Sequence, residues 1–186
     1  AFKSRISLYQ QNWEDALKNA ETALSINKTL VNLNTEKIVP NHYTSPEAIL
    51  SLDNTFISAL GYSTAASKEL IASYDQTNDL RFKTYFEKNG ADYKVIKGGN
   101  SEFRTSFRVS ELYFIKAEAL LKSNRLEESK ATLNEVLKNR YTATGFANVQ
   151  TKVTSMNATQ FMEFILEERN REFALEGQRW FDLRRA

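Results

Sequence analysis

Glu168, Glu172 and Glu176 recur every four residues in the stretch TQFMEFILEERNREFALEGQRWFDLRR, Thr159 to Arg185, and this spacing constrains the chain more than any other feature. On a helix it stacks three carboxylates in one column of like charge, which an isolated helix disfavours. Cations must therefore answer them. Arg169, Arg171, Arg179, Arg184 and Arg185 are nearest in sequence, and a guanidinium suits the role because its planar fork engages a carboxylate through two hydrogen bonds. The helix has its own signals. Asn157 with Gln160 three residues on, or Thr159 alone, can accept from the unpaired N–H groups of the first turn. Met162, Ile165, Leu166 and Phe173 follow a 3.6-residue period and predict one apolar face, and Gly177 supplies a left-handed exit. Trp180, Phe181 and Leu183 then sit among arginines, which predicts a second short element folded back on the first. The whole reads as a packed, ion-paired corner.

Glu168, Arg169, Glu172, Glu176, Gly177, Arg179, Trp180, Asp182 and Arg185 also spell a pattern: Glu-Arg-x-x-Glu, then Glu-Gly-x-Arg-Trp-x-Asp-x-x-Arg. This resembles the signature near the C-terminal end of the SusD/RagB family. A second block is similar to the family's Arg-x-x-Glu-x-Tyr or Leu followed by Ala-Glu-Ala, met here by Arg108, Glu111, Leu112, Tyr113, Ala117, Glu118 and Ala119. Pro46, Glu47 and Ile49 match a Pro-Glu-x-Ile stretch of the same family.

The resemblance implies a mostly α fold of TPR-like helix pairs with an irregular insertion that carries short strands and loops. It implies a lipid-anchored protein of the outer-membrane cell surface that binds an oligosaccharide or other nutrient. The ligand would pass to a SusC-like TonB-dependent transporter, with no catalysis and no cofactor. The chain enters in mid-pattern, with Ile6, Leu8 and Tyr9 already apolar and no cap before them. It is therefore expected to cover roughly the later half of a family member, with the lipid anchor outside it.

Composition narrows the function classes. A chain of 186 residues buries about 70% of its unfolded surface, enough for one domain over residues 1–186. Its 25 basic and 23 acidic residues are interspersed, so no electrostatic footprint for nucleic acid is present. The absence of cysteine excludes a disulfide framework, a thiolate metal site and a cysteine nucleophile. No apolar run approaches the ~20 residues that span a bilayer.

Two stretches share one plan. Asn12 with Asp15, then Trp13, Ala16, Ala20 and Leu24, reads as the second helix of an antiparallel pair within about residues 1–25. Asn124 with Glu127, then Leu126, Leu133 and Leu137, repeats it after a helix from about Arg108 to Leu121, within about 104–140. Small residues at close-approach positions are what TPR-like pairs use. Between them, about residues 26–103 form the insertion. Pro40 and Pro46 punctuate a polar loop with His42 and Tyr43, and Ala48 to Leu52 reads as a short buried strand. Asn54 to Ser67 reads as a loop, Ser67 as the cap of a helix with Leu70, Ile71 and Tyr74, and Asp79 to Phe82 as its continuation. Tyr93, Val95 and Ile96 against Gly98 and Gly99 suggest a hairpin or a mobile loop.

Several groups invite a chemical role. Two of Glu168, Glu172 and Glu176 can be imagined as the acid and base of a glycosidase, which needs carboxylates about 5 to 10 Å apart across the scissile bond. Carboxylates on one helix face project side by side, however, and neighbouring arginines lower the pKa an acid needs raised. The favoured reading is a structural ion network of Arg108, Glu111, Glu118, Glu168, Arg169, Glu172, Glu176, Arg179 and Arg185. His42 has no second histidine or cysteine to complete a metal site, and none is expected. Trp13 and Trp180 are expected in core or cation–π roles. A pyranose site pairs an aromatic plate with amide or carboxylate groups, and Tyr62, Phe56, Asn54 and Asp53 are the ligand-binding candidates. The alternative to nutrient binding is a TPR-like scaffold for a peptide or protein.

Overall fold

A computed structural model describes residues 1–53, 65–97 and 103–185. Helices α1 (Phe2–Tyr9) and α2 (Trp13–Ile26) form the first pair, joined through Gln11 in the left-handed region (φ 57°). The Asn12 side chain accepts from the Asp15 amide at 3.2 Å, as its spacing predicts. The second pair is α5 (Val109–Lys122) and α6 (Leu126–Leu137), and α2 lies against α5. Then α7 (Ala143–Ser155) and α8 (Ala158–Glu172) bring the chain back over α6 and α5, and α9 (Arg179–Arg185) returns against α8. The fold is mostly helical.

Helix α5 is the axis of this arrangement. Phe114, Ala117 and Leu121 join Leu133, Val136, Leu137, Phe161, Phe164 and Ile165 in one core. Leu112, Ile115 and Ala119 turn the other way, into a second core with Leu8, Ala16, Ala20 and Leu24. A helix with apolar residues on two faces and its acidic Glu111 and Glu118 buried as well can only be central. Alanines at these contacts bring the backbones close, and the Ser129 hydroxyl of α6 donates to the Ala117 carbonyl of α5.

The second pair does not begin as its sequence predicts. Asn124 adopts φ 61° and closes α5, with its own amide on the Leu121 carbonyl at 3.0 Å and the Arg125 amide on Leu120 at 2.9 Å. This is a Schellman closure, in which a left-handed asparagine satisfies the last carbonyls of one helix and leaves the next uncapped by a side chain. At α8 the local reading holds. Asn157 and Gln160 bond reciprocally at 3.0 Å as a capping box. The buried face of α8, however, runs Phe161, Phe164, Ile165, Glu168, Arg169, Glu172, with Met162 and Leu166 only half-buried. The stripe is rotated from the expected one because the charged residues belong to the buried side.

Among the described residues the insertion carries two small sheets and two short helices. Strand β1 (Ala48–Asp53) pairs antiparallel with β4 (Phe103–Arg108), with register irregularities near Leu50. Ile49 and Leu50 are exposed, so β1 is not the buried strand its apolar run predicts: one neighbouring strand cannot cover both faces. Helices α3 (Lys68–Ala72, capped by Ser67) and α4 (Leu80–Tyr85, capped by Asp79) are separate elements rather than one continued register. A hairpin of β2 (Phe86–Asn89) and β3 (Asp92–Val95) turns at Gly90, whose φ of 62° suits a residue without Cβ. Ile71, Tyr74, Phe82, Tyr85 and Phe86 form a third core here.

The insertion is docked on the start of α7. The Thr142 amide donates to the Asn78 carbonyl at 2.9 Å and its hydroxyl bonds the Asn78 side chain at 3.0 Å. Gly145 leaves the room for this, since a Cβ there would sit 2.6 Å from Asn78 Cβ. Gly145→Ala is expected to cost about 2 kcal/mol by overpacking. Thermal unfolding would read this as a Tm lower by roughly 4–8 °C.

Candidate functional site

The carboxylates of α8 meet a dense set of cations in the centre of the molecule. Glu172 accepts from Arg140 Nε (3.0 and 3.1 Å) and Nη2 (2.9 Å), from Arg108 Nη1 (2.5 Å) and from Arg81 Nη1 (3.4 Å). Glu168 accepts from Arg81 and Arg171, each at 2.8 Å, and from the Tyr141 hydroxyl at 2.8 Å. Asp79 holds Arg81 through two bonds of 2.7 and 2.8 Å. Glu47 bridges Arg140 (2.7 Å) and Arg108 (3.3 Å) and accepts the Val31 amide at 2.9 Å. Arg81, Arg108, Arg140, Glu47, Glu168 and Glu172 are all fully buried.

Burial alone would raise the pKa values of Glu168 and Glu172, but the guanidiniums overcome it. Arg171 and Arg81 hold Glu168 at about 2, and Arg140 and Arg108 hold Glu172 well below the ordinary carboxylate range. At Asp79 burial wins over Arg81 and the pKa is raised. Glu168 and Glu172 are thus ionised, saturated with donors and shut away from solvent. A general acid needs the reverse on each count.

Glu176 does not continue the column. Helix α8 stops at Glu172, and Phe173 to Gly177 form a turn with Leu175 (φ 64°) and Gly177 (φ 77°) both left-handed. Gly177 therefore precedes α9 rather than closing α8. From the turn, Glu176 takes Lys97 Nζ at 2.6 Å and Arg108 Nη2 at 3.0 Å. Lys97 Nζ also reaches the carbonyls of Glu172 and Ala174, each at 2.9 Å, and Arg108 Nη2 reaches the Glu172 carbonyl at 2.7 Å. Two cations so cap the end of α8, where orphan carbonyls and the helix dipole favour positive charge. Burial pulls the Lys97 pKa down to about 8 against the pull of Glu176.

A second chain of contacts leads outward. Arg5 grips Glu111 through two bonds of 2.6 and 2.5 Å; Gln178 joins Glu111 at 3.3 Å to Arg169 at 3.0 Å. Arg169 then holds Asp182 at 2.9 Å, and Arg185 bridges Asp182 and Glu118. Arg179 stands apart, exposed, and among the described residues its guanidinium donates only to the Leu166 carbonyl at 3.4 Å. Local sequence signals do not point to Arg81, Lys97 or Arg140. For Arg81 the one clue is Asp79 two residues earlier, which caps α4 while clasping the guanidinium.

Of the ligand-binding candidates, Asn54, Phe56 and Tyr62 lie outside the described residues, and Asp53 ends β1 opposite Phe103. His42 Nδ1 lies 2.7 Å from the Thr44 hydroxyl. Among the described residues no group of histidine and acidic side chains has the arrangement to hold a metal, and no helix is long and apolar enough to cross a membrane. Trp13 packs half-buried against the second core, with Lys122 Nζ 5.8 Å from its ring. Among the described residues Trp180 is packed into no core. It is 64% exposed, as are large parts of Phe181 and Leu183, because α9 buries only Asp182. Its ring has Arg184 Cζ at 5.9 Å and borders a cleft of about 440 Å³, with Ser67, Glu69, Leu70, Asn170, Leu175 and Arg179 around it.

A sequence model of the SusD family matches residues 59–186, which includes both the α5 block and the α8–α9 signature. The chain belongs to the SusD family. The sequence matches none of the curated proteins. The fold of this SusD-family chain is shared with a SusD-like carbohydrate binding protein from Bacteroides vulgatus ATCC 8482 (TM-score 0.78, 20% identity, covering 98% of this chain and 43% of that one). It is shared too with a SusD superfamily protein from Bacteroides fragilis (TM-score 0.77, 20% identity, 98% and 46%). A third, from Bacteroides thetaiotaomicron VPI-5482, has a TM-score of 0.72 and 20% identity over 96% and 47%. The chain spans less than half the length of these three structures.

Proposed function

We propose that this SusD-family chain is the helical part of a lipid-anchored, cell-surface protein that captures a glycan at the outer membrane. It hands the ligand to a SusC-like TonB-dependent transporter, which covers part of the helical surface. The observation that carries this reading is the family match over residues 59–186, together with a structural relative named as carbohydrate binding. The chain acts by capture and transfer rather than by bond cleavage. The saturated, ionised state of Glu168 and Glu172 supports that choice, and the ion network is a structural frame. Tyr62, with Phe56, Asn54 and Asp53, supplies the sugar contacts.

Calorimetric titration of soluble oligosaccharides into the full-length protein tests the proposal. Binding heat is expected, and Tyr62→Ala should weaken affinity roughly tenfold, the ~1.4 kcal/mol of one aromatic stacking contact. Absence of heat with every glycan, with a peptide recovered by pulldown instead, would favour a scaffold. Release of reducing sugar would make the protein an enzyme.

A further inference from the structure

We infer that the cleft between α3 and the α8–α9 turn is a second saccharide subsite, with Trp180 as its stacking plate and Asn170, Glu69 and Arg179 as its hydroxyl partners. This deepens the glycan-binding reading and rests on it. Its lining among the described residues is made of side chains other than the Tyr62, Phe56, Asn54 and Asp53 candidates.

The apolar component is unusually exposed. Trp180 is 64% and Leu175 50% accessible, and both border the same cleft. Leu175 is held there by a left-handed backbone (φ 64°), a conformation that non-glycine residues rarely adopt. An exposed indole leaves apolar surface in water, which a sugar face can cover by stacking. The floor is firm, because Phe173 and Ala174 are buried beneath the turn. Lys97 and Arg108 both bind the Glu172 carbonyl just before the turn and Lys97 also that of Ala174 within it, so the ion network holds the cleft's wall in place. A preformed site loses little entropy on binding.

The polar component fits a neutral, hydroxyl-rich ligand. Among the described residues the Asn170 carboxamide makes no hydrogen bond, leaving both a donor and an acceptor for a ligand. Glu69 presents an exposed carboxylate from the first turn of α3, and among the described residues Arg179 is committed only to one long bond. Pyranose hydroxyls both donate and accept, so all three groups can be used at once. Within the lining one carboxylate and one guanidinium balance, so the lining itself offers no net charge for an anionic ligand to bind. About 440 Å³ falls within the range of small-molecule sites and admits a short saccharide.

Iodide quenching of tryptophan fluorescence in the full-length protein tests this, with malto-, cello-, xylo- and manno-oligosaccharides as probes alongside calorimetry. Trp180→Ala should remove the part of the quenching that a glycan protects while leaving the thermal melt unchanged. A glycan that gives calorimetric heat is expected to lower the quenching slope at least twofold, and Asn170→Ala to weaken that protection roughly fivefold. Tyr62→Ala should leave the protection in place. Heat without any change in quenching would overturn the subsite and leave the proposed function standing. Neither heat nor protection would overturn both.

Discussion

Glu172→Gln is expected to cost about 3–5 kcal/mol of folding stability, a Tm fall of roughly 10–15 °C. The substitution keeps the shape and removes only the charge. Arg81, Arg108, Arg140, Arg171 and Lys97 supply five cations to the central network, and Asp79, Glu47, Glu168, Glu172 and Glu176 supply five anions. Neutralising the carboxylate shared by three guanidiniums leaves one buried positive charge uncompensated. Desolvating a charge costs several kcal/mol unless a partner repays it, and here the strongest partner is gone. The amide also presents N–H groups to guanidiniums that need acceptors. Glu163→Gln, on the exposed side of the same helix, should stay within about 0.5 kcal/mol. Equal urea midpoints for the two variants would show that Glu172 is not the keystone of this frame.

Acid should unfold the protein steeply between about pH 4.5 and 2. Burial pushes Glu168 up, but Arg171 and Arg81 hold it at about 2 against an ordinary 4.5. A carboxylate whose folded pKa is depressed lends stability above its unfolded value and loses it as pH falls towards the folded one. For Glu168 the loss amounts to about 3 kcal/mol. Glu172, Glu176 and Asp182 are depressed in the same direction, each by arginine or lysine neighbours that outweigh burial. Asp79 has the opposite sign, because burial raises its pKa, and its protonation offsets part of the loss. Lys97 acts at the other end. With its folded pKa near 8 and 10.5 unfolded, the unfolded chain binds more protons between those values, so this group adds stability as pH rises through that window. Stability measured against pH should therefore slope upward from pH 2 to about 4.5, and Glu168→Gln should flatten that slope.

What sequence alone determined lies within a few residues along the chain or in a spelled-out signature. Asn157 and Gln160 form their capping box, and Asn12 caps α2, because both bonds close within three residues and need no tertiary partner. The arginine and glutamate spacing of the α5 block and the α8–α9 signature was enough to place the chain in its family. Asn124 shows the limit even locally: an asparagine before an apolar run serves equally as a cap or as a left-handed closure, and the packing of α6 on α5 selects the second.

Only the tertiary structure decided which cations answer the acidic helix. Arg140, Arg108 and Arg81 stand 32, 64 and 91 residues from Glu172, while adjacent Arg179 turns to solvent. Sequence neighbours on a helix surface share a face only at three- and four-residue spacing, so a buried carboxylate is met by whatever the fold packs over it. The same holds for Trp180 and for Ile49 and Leu50. Their apolar character predicts burial, yet burial requires an opposing surface, and among the described residues neither α9 nor the two-stranded β1–β4 sheet has one over those side chains.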